Sequence, residues 1–440
     1  MQDIDLSQIK SIHFIGIGGI GISAIARMMI AEGKAVSGQD MQESEILGDL
    51  RKLGAKIKIG QSIENIPKGT DLVVYTIAIA NFDHGLFQDL QNQAESGGVP
   101  IRSYPEMLSI VTRGKYTIAV SGTHGKTTTV GMTAHILKNA GLDPTVIIGS
   151  LMSDSNSNFV AGESKYFVVE ACEYRRSFLN INPNILVITN IDADHLDYYK
   201  DIEDIKKAFR ELALKVPSDG FVVCNPTDEH MIDVVAGIDA KVVDYERFVD
   251  EELDLQMPGL HNKKNASAAY AVADLLGVGK EQIKGALASF EGTARRFEYK
   301  GDTKAGAKVY DDYAHHPREI LASLQGFREL YPRSDGWKVI VVFQPHLFSR
   351  TKAFIDDFAQ SFADADQVLL LPIYYAREED DGSVSSAILA EKISDSGVQA
   401  QAFADFPSTQ KYLSESRLDD HTIVITMGAG EAFVIGNSIL

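Results

Sequence analysis

The sequence predicts an α/β protein of three successive units, each a largely parallel sheet covered by helices. Three observations predict it. From Ile12 onward, short β-branched runs alternate with Gly-rich turns and amphipathic stretches at helical spacing. The chain has 440 residues, more than one hydrophobic core fills, and corresponds to roughly two to four domains. Finally, each cluster of polar residues stands immediately after a strand, where open parallel sheets place their ligand sites.

The first unit spans 1–113, with strands expected over 11–15, 35–37 and 72–77. The second spans 114–294, with strands over 116–120, 166–169, 185–189 and 221–224 and a closing helix over 265–276. The third spans 295–440, with strands over 309–311, 338–343, 367–371 and 422–426. No fixed-period repeat or low-complexity tract interrupts them, which excludes a solenoid.

Composition narrows the function. Hydrophobic residues make up 45% and charged residues 23%, an ordinary globular balance. A formal net charge of -19 argues against nucleic acid as a partner, because broad phosphate binding is driven by clustered Lys and Arg. Any phosphate must be held locally. The two cysteines, Cys172 and Cys224, are too few for a disulfide framework, which fits a reducing cytoplasm. The first residues are polar and acidic, and no apolar run approaches the ~18 residues of a membrane helix. A soluble, cytoplasmic protein without membrane insertion is expected.

The first chemical cluster is Gly16-Ile17-Gly18-Gly19-Ile20-Gly21, a GxGxxG turn with Asp40 at the end of the next strand. Glycines let a backbone approach a diphosphate, whose charge then faces a helix N-terminus. By itself the pattern reads as a nicotinamide or flavin dinucleotide site with Asp40 on a ribose hydroxyl, or as a tight structural turn. The second cluster is Gly122-Thr123-His124-Gly125-Lys126-Thr127-Thr128-Thr129. It is a shortened phosphate-binding loop, with two residues between its glycines where the full motif has about four. Backbone amides at Gly122, Thr123, His124 and Gly125 can cradle phosphate; Lys126 can neutralise the outer oxygens and Thr127 can ligate Mg²⁺, with Thr128 following. Third and fourth come Glu170-Ala171-Cys172-Glu173 and the run from Asn190 to Asp197 that includes His195. Their oxygens suit Mg²⁺, although a lone Glu or His is as often a solvated or capping residue.

These motifs continue with Pro258-Gly259-Leu260-His261-Asn262 and Asn265, Arg295-Arg296-Phe297, and Asp311-Asp312-Tyr313-Ala314-His315-His316-Pro317. In that order, over nearly the whole chain, the sequence resembles the Mur ligase family. GTHGKTTT, DDYAHHP and Phe343-Gln344-Pro345-His346 with Ser349-Arg350-Thr351 are most similar to members that add L-alanine to UDP-N-acetylmuramate. The resemblance implies a Rossmann-like N-terminal domain, a central P-loop ATPase-type domain and a Rossmann-like C-terminal domain. It also implies that the first glycine loop holds UDP rather than NAD. ATP would phosphorylate the muramoyl carboxylate, the alanine amine would attack the acyl phosphate, and phosphate would leave.

Position by position, the resemblance gives Lys126 the transferring phosphate, Thr127 and Glu170 one Mg²⁺, and Glu170 with His195 a second. Asn262 and Asn265 would meet adenine, or else cap a helix. Asp312 would contact the ATP ribose and Arg295 or Arg296 the phosphates. Tyr313, His315 and Arg350 would take the alanine end, where His315 either assists proton removal or serves a structural role. Gly16, Gly18, Gly19, Gly21 and Asp40 would take the UDP substrate. The implied assembly is a monomer or weak homodimer.

Two departures bear on the site. Cys172 stands where the family usually has aspartate, and Leu347 where it often has a second arginine. Alanine-carboxylate recognition would then rest on Arg350. Three rivals can be weighed: a recycling ligase that adds a whole tripeptide, opposed by the 343–351 segment; a dinucleotide-dependent dehydrogenase; and a non-catalytic muropeptide-binding paralogue. The last two leave Lys126, Glu170 and His195 unused.

Overall fold

The computed structural model describes residues 4–96, 98–153, 155–250, 253–375 and 378–440. It holds three sheets. The first contains β1 (Ser11–Ile15), β2 (Ala35–Asp40), β3 (Lys56–Ile59), β4 (Leu72–Tyr75) and β5 (Ile101–Ser103), all parallel, in the order β3-β2-β1-β4-β5. The second contains β6 (Tyr116–Ser121), β7 (Thr145–Met152), β8 (Ser157–Val160), β9 (Tyr166–Glu170), β10 (Ile185–Ile188), β11 (Phe221–Cys224) and β12 (Lys241–Asp244). Its order is β12-β11-β10-β6-β9-β7-β8, with only the β7–β8 pair antiparallel among the described residues. The third contains β13 (Glu298–Asp302), β14 (Lys308–Asp312), β15 (Lys338–Phe343), β16 (Gln367–Leu370), β17 (Gln399–Ala402) and β18 (Thr422–Met427). It runs β13-β14-β18-β15-β16-β17, with β13 antiparallel to β14.

The interior strands are apolar runs because both faces are covered. Every residue of β10 and of β18 is buried. Sequence expectations over-ran most in the first sheet, where 72–77 was expected as strand but β4 stops at Tyr75 and Ile77 opens the helix Ile77–Phe82; 185–189 and 367–371 over-ran by one residue each.

By compactness the chain divides into two units. One comprises Met1–Val249 with Asn265–Leu287; the other comprises Asp250–Lys264 with Ala288–Leu440. Within the former, a single apolar cluster runs from Phe14 and Ile25 through Leu108 to Phe167, Phe178 and Phe209, joining the first two sheets. Asn158 on β8 strengthens that junction, donating to the Ile20 carbonyl at 2.5 Å and to Ser23 Oγ at 2.8 Å. Within the latter, separate clusters around Phe343 and Val342 fill the two faces of the third sheet.

Topology places the loops. In the first sheet, β1 has β2 on one side and β4 on the other, so the chain crosses in opposite directions and leaves a crevice beyond the carboxyl end of β1. Gly16 begins there. In the second, β6 lies between β10 and β9, so Gly122, Glu170 and Thr189 leave neighbouring strand ends together.

Candidate active site

The first glycine loop is shaped by contacts that exclude a Cβ. Gly16 has φ +76°, and a Cβ there would strike the Thr76 side chain. A Cβ on Gly18 would lie 2.9 Å from Asp40 Oδ2, and one on Gly21 would lie 2.7 Å from the Tyr104 ring. Gly19 caps the helix Ile20–Ala31. Asp40 accepts the Gly18 amide at 2.8 Å and the Met41 amide at 2.7 Å. Its carboxylate therefore fastens the loop, where the bare motif had placed it on a ribose.

The second loop enters the helix Lys126–Asn139 through Gly125, at φ +82°. Gly125 has no room for a Cβ because the Asn265 side-chain oxygen sits against it; that oxygen also accepts from Thr129 Oγ1 at 3.3 Å. The segment after β10 backs the loop. Thr123 donates its amide to the Asn190 carbonyl at 3.1 Å, His124 donates to Asn190 Oδ1 at 2.9 Å, and the Thr189 hydroxyl donates to the His124 carbonyl at 2.6 Å. His124 Nε2 also stands 3.3 Å from Asp192 Oδ2. Thr128 is buried beneath.

Lys126 Nζ lies inside this frame, donating to the Gly122 carbonyl at 2.6 Å, the Thr123 carbonyl at 3.0 Å and Glu173 Oε1 at 3.0 Å. Burial works against the ammonium, but Glu173, with Cys172 and Glu170 beyond it, holds its pKa above the ordinary value. Thr127 Oγ1 donates to Glu170 Oε2 at 3.0 Å, and the Gly149 amide donates to the same oxygen at 2.8 Å. Thr127 and Glu170, which the resemblance assigned to one cation, thus lie side by side. His195 adopts a left-handed backbone (φ +54°) and turns Nε2 toward Glu173 Oε1 at 3.7 Å and Asp194 Oδ2 at 3.9 Å. The resemblance set it beside Glu170 around a second cation; the carboxylate its Nε2 faces here is Glu173.

Asn262 donates its side-chain amide to the Pro258 carbonyl at 2.8 Å, at the start of the helix Leu260–Leu275. In the unit of the third sheet, Arg295 is bonded within its own surroundings. Its guanidinium donates to Asp311 at 2.8 Å, the Gly430 carbonyl at 3.1 Å and the Gly428 carbonyl at 2.7 Å. These bonds tie it to the sheet, and both guanidinium groups, of Arg295 and of Arg296, lie 5.1 Å over the Tyr313 ring. Asp312 likewise serves its own surroundings, accepting from the Phe297 and Ala314 amides at 3.1 and 2.8 Å and from Ser323 Oγ at 3.1 Å. Burial raises its pKa.

Around Arg350 a compact set forms. Arg350 is 8% exposed and presents Nη1 to His346 Nδ1 at 3.3 Å. The His346 ring stacks on Tyr374 at 5.4 Å and lies 6.0 Å from the His315 ring. His315 Nδ1 stands 3.0 Å from the Tyr313 carbonyl and 3.2 Å from Glu319. Leu347, at φ +72°, caps the short helix Phe348–Ala353 and accepts from Thr351 Oγ1 at 2.7 Å. Glu173, Gly149, Asn190 and His346 were given no role from sequence. Three of them lie inside quoted motifs, whereas Gly149 had no signal at all.

A glycine–lysine–threonine loop bedded on a carboxylate, at the strand ends of the second of three α/β sheets in chain order, is the mark of an enzyme that uses a nucleoside triphosphate. The chain belongs to the Mur ligase family. Its profiles match at 11–116 (Mur ligase family, catalytic domain), 120–248 (middle domain) and 295–430 (glutamate ligase domain). The UDP-N-acetylmuramate–L-alanine ligase of Caldanaerobacter subterraneus subsp. tengcongensis is 41% identical, covering 100% of this chain and 99% of its own. That of Clostridium kluyveri is 40% identical over 100% of both chains. Among solved structures, UDP-N-acetylmuramate–alanine ligase MurC from Thermotoga maritima superposes with a TM-score of 0.80 at 28% identity over 98% of each chain. The murein peptide ligase Mpl from Psychrobacter arcticus shares the fold at a TM-score of 0.70 and 24% identity, also over 98% of each chain.

Proposed function

We propose that this chain joins L-alanine to the carboxylate of UDP-N-acetylmuramate, consuming ATP and yielding UDP-N-acetylmuramoyl-L-alanine, ADP and phosphate for peptidoglycan synthesis. The observation that carries the chemistry is the Thr127–Glu170 contact at 3.0 Å beside Lys126. The full-length likeness to L-alanine ligases supports the substrates. A muramoyl carboxylate oxygen attacks the γ-phosphorus and ADP departs. The alanine nitrogen then attacks the acyl carbon, and the tetrahedral adduct expels phosphate.

Lys126 neutralises the transferring phosphoryl group, amides of Gly122 to Lys126 orient it, and Asn262 and Asn265 take the adenine. Thr127 and Glu170 present hard oxygen donors side by side, a set that fits one Mg²⁺, and His195 would join Glu170 around a second. The cation, when bound, offsets repulsion between phosphate and carboxylate oxygens. Arg350 pairs with the alanine carboxylate. His315, whose Nδ1 is turned to the Tyr313 carbonyl and Glu319, offers Nε2 as the basic nitrogen for the ammonium proton. Gly16, Gly18, Gly19 and Gly21 receive the UDP diphosphate. Among the described residues no helix is long and apolar enough to cross a membrane, and reliance on ATP and a nucleotide sugar suits the cytoplasm.

The test is phosphate release with ATP, Mg²⁺, UDP-N-acetylmuramate and each of L-alanine, glycine, L-serine and the L-Ala-γ-D-Glu-meso-diaminopimelate tripeptide. L-Alanine is expected to give the highest kcat/KM. Preference for the tripeptide would replace this reading with the recycling ligase.

A further inference from the structure

Glu173 has no place in the chemistry above, yet its side chain is 3% exposed and stands 2.9 Å from Lys126 Nζ. An ammonium has three protons to donate, and Lys126 spends them on the Gly122 carbonyl, the Thr123 carbonyl and Glu173. A phosphate oxygen reaches Nζ only by displacing one of these. The two carbonyls belong to a loop pinned through the Thr123 and His124 amides to Asn190. Glu173 is different: it is a side chain that can rotate, and a second basic group, His195 Nε2, lies 3.7 Å away. The backbone of Glu173 is meanwhile held in place, since its carbonyl accepts from the Tyr199 hydroxyl at 2.5 Å.

We propose that Glu173 is a positioning residue that takes the place of phosphate on Lys126 while the loop is empty and surrenders it to the incoming triphosphate, its carboxylate turning to His195. The proposal rests on reading the loop as the ATP site. A buried lysine without an anion would be unstable, so the pair keeps the ammonium charged and aimed. The same pairing opposes nucleotide binding, because two anions then compete for one cation.

The sign of that competition separates this role from a merely structural one. ATP is titrated calorimetrically into the full chain without sugar substrate or amine. Glu173→Gln, which keeps the shape and removes the charge, is expected to bind ATP about tenfold more tightly than the parent. Glu173→Asp, which draws the carboxylate back from Nζ, should tighten less, and UDP-N-acetylmuramate affinity should stay unchanged in both. A structural role predicts looser ATP binding. Unchanged or weaker ATP affinity in the Gln variant overturns the proposal while leaving the loop's assignment intact; should that variant not fold, the same result in the Asp variant does so. A parent that binds no ATP overturns the assignment itself.

Discussion

A Cβ on Gly149 would lie 2.6 Å from Glu170 Oε1, closer than any real side chain is tolerated. The register that sets Ile147 opposite Val169 brings Gly149 alongside the end of β9, where its amide also holds the carboxylate. Gly149→Ala should therefore push Glu170 off Thr127. Displacements near 1 Å cost up to about 100-fold in rate, so kcat should fall by roughly 10- to 100-fold. UDP-N-acetylmuramate affinity should not change. A kcat equal to the parent's would show that Glu170 can shift without consequence.

Lys126→Ala should abolish turnover and leave UDP-N-acetylmuramate binding nearly intact, since the two glycine loops follow strands of different sheets. Equal loss of both would contradict that division. Glu170→Ala should raise the Mg²⁺ concentration needed for half-maximal rate, and an unmoved Mg²⁺ titration would remove Glu170 from the cation site.

The adjacent arginines should behave differently. Asp311 is 2% exposed, so Arg295→Met strands a buried carboxylate that only the Thr426 hydroxyl and its other neighbours then serve. A stability loss of about 2–3 kcal/mol is expected in urea unfolding. Arg296→Met should cost less than about 1 kcal/mol and instead raise the KM for ATP. The reverse pattern would return the phosphate role to Arg295.

For Arg350 the expected readout is the L-alanine KM. A charge-assisted contact contributes about 1.5–3 kcal/mol, so Arg350→Ala should raise that KM by roughly 10- to 150-fold. The upper part of the range is expected, because Leu347 offers no second cation. Lysine should restore only part, keeping the charge but not the paired geometry. An L-alanine KM near the parent value would sink the assignment.

His13 on β1 makes a pH prediction. Burial, aided by Lys58, lowers its pKa from 6.5 to about 4. The unfolded chain then binds the proton at higher pH than the folded one, so stability is complete above about 6.5 and drains away as pH falls toward 4. At ~1.4 kcal/mol per unit the loss approaches about 3 kcal/mol. His13→Asn should flatten the urea midpoint between pH 7 and 4.5 relative to the parent. An unaltered slope would assign the acid sensitivity to other groups.

Legibility in the sequence followed position in the sheet. Interior strands such as β10 and β15 announce themselves because both faces are apolar. The edge strands β3, β5, β8, β12, β13 and β17 escaped, several being as polar as Lys-Ile-Lys-Ile or Gln-Ala-Gln-Ala, since an edge needs only one covered face; the interior β7 escaped too, its apolar Val-Ile-Ile run being broken by Gly149 and Ser150. The site divides similarly. The neighbourhood of Lys126, Thr127 and Glu170 was legible because all three stand at the ends of adjacent strands. The sequence does not choose between Arg295 and Arg296, because a motif arginine looks alike whether it binds phosphate or a sheet's own carbonyls. Gly149 was invisible, for its role is to be absent from a space that only the folded register creates.

Asn158 has a bearing on how the molecule comes apart. With its amide planted on Ile20 and Ser23, and one apolar cluster running beneath both of the first two sheets, those sheets should melt together. Three domains in the family's sense then amount to two cooperative blocks. Cutting the chain near 113 would not liberate a stable N-terminal module but would bare a greasy seam, whereas scanning calorimetry of the intact chain should resolve no more than two heat-absorption peaks.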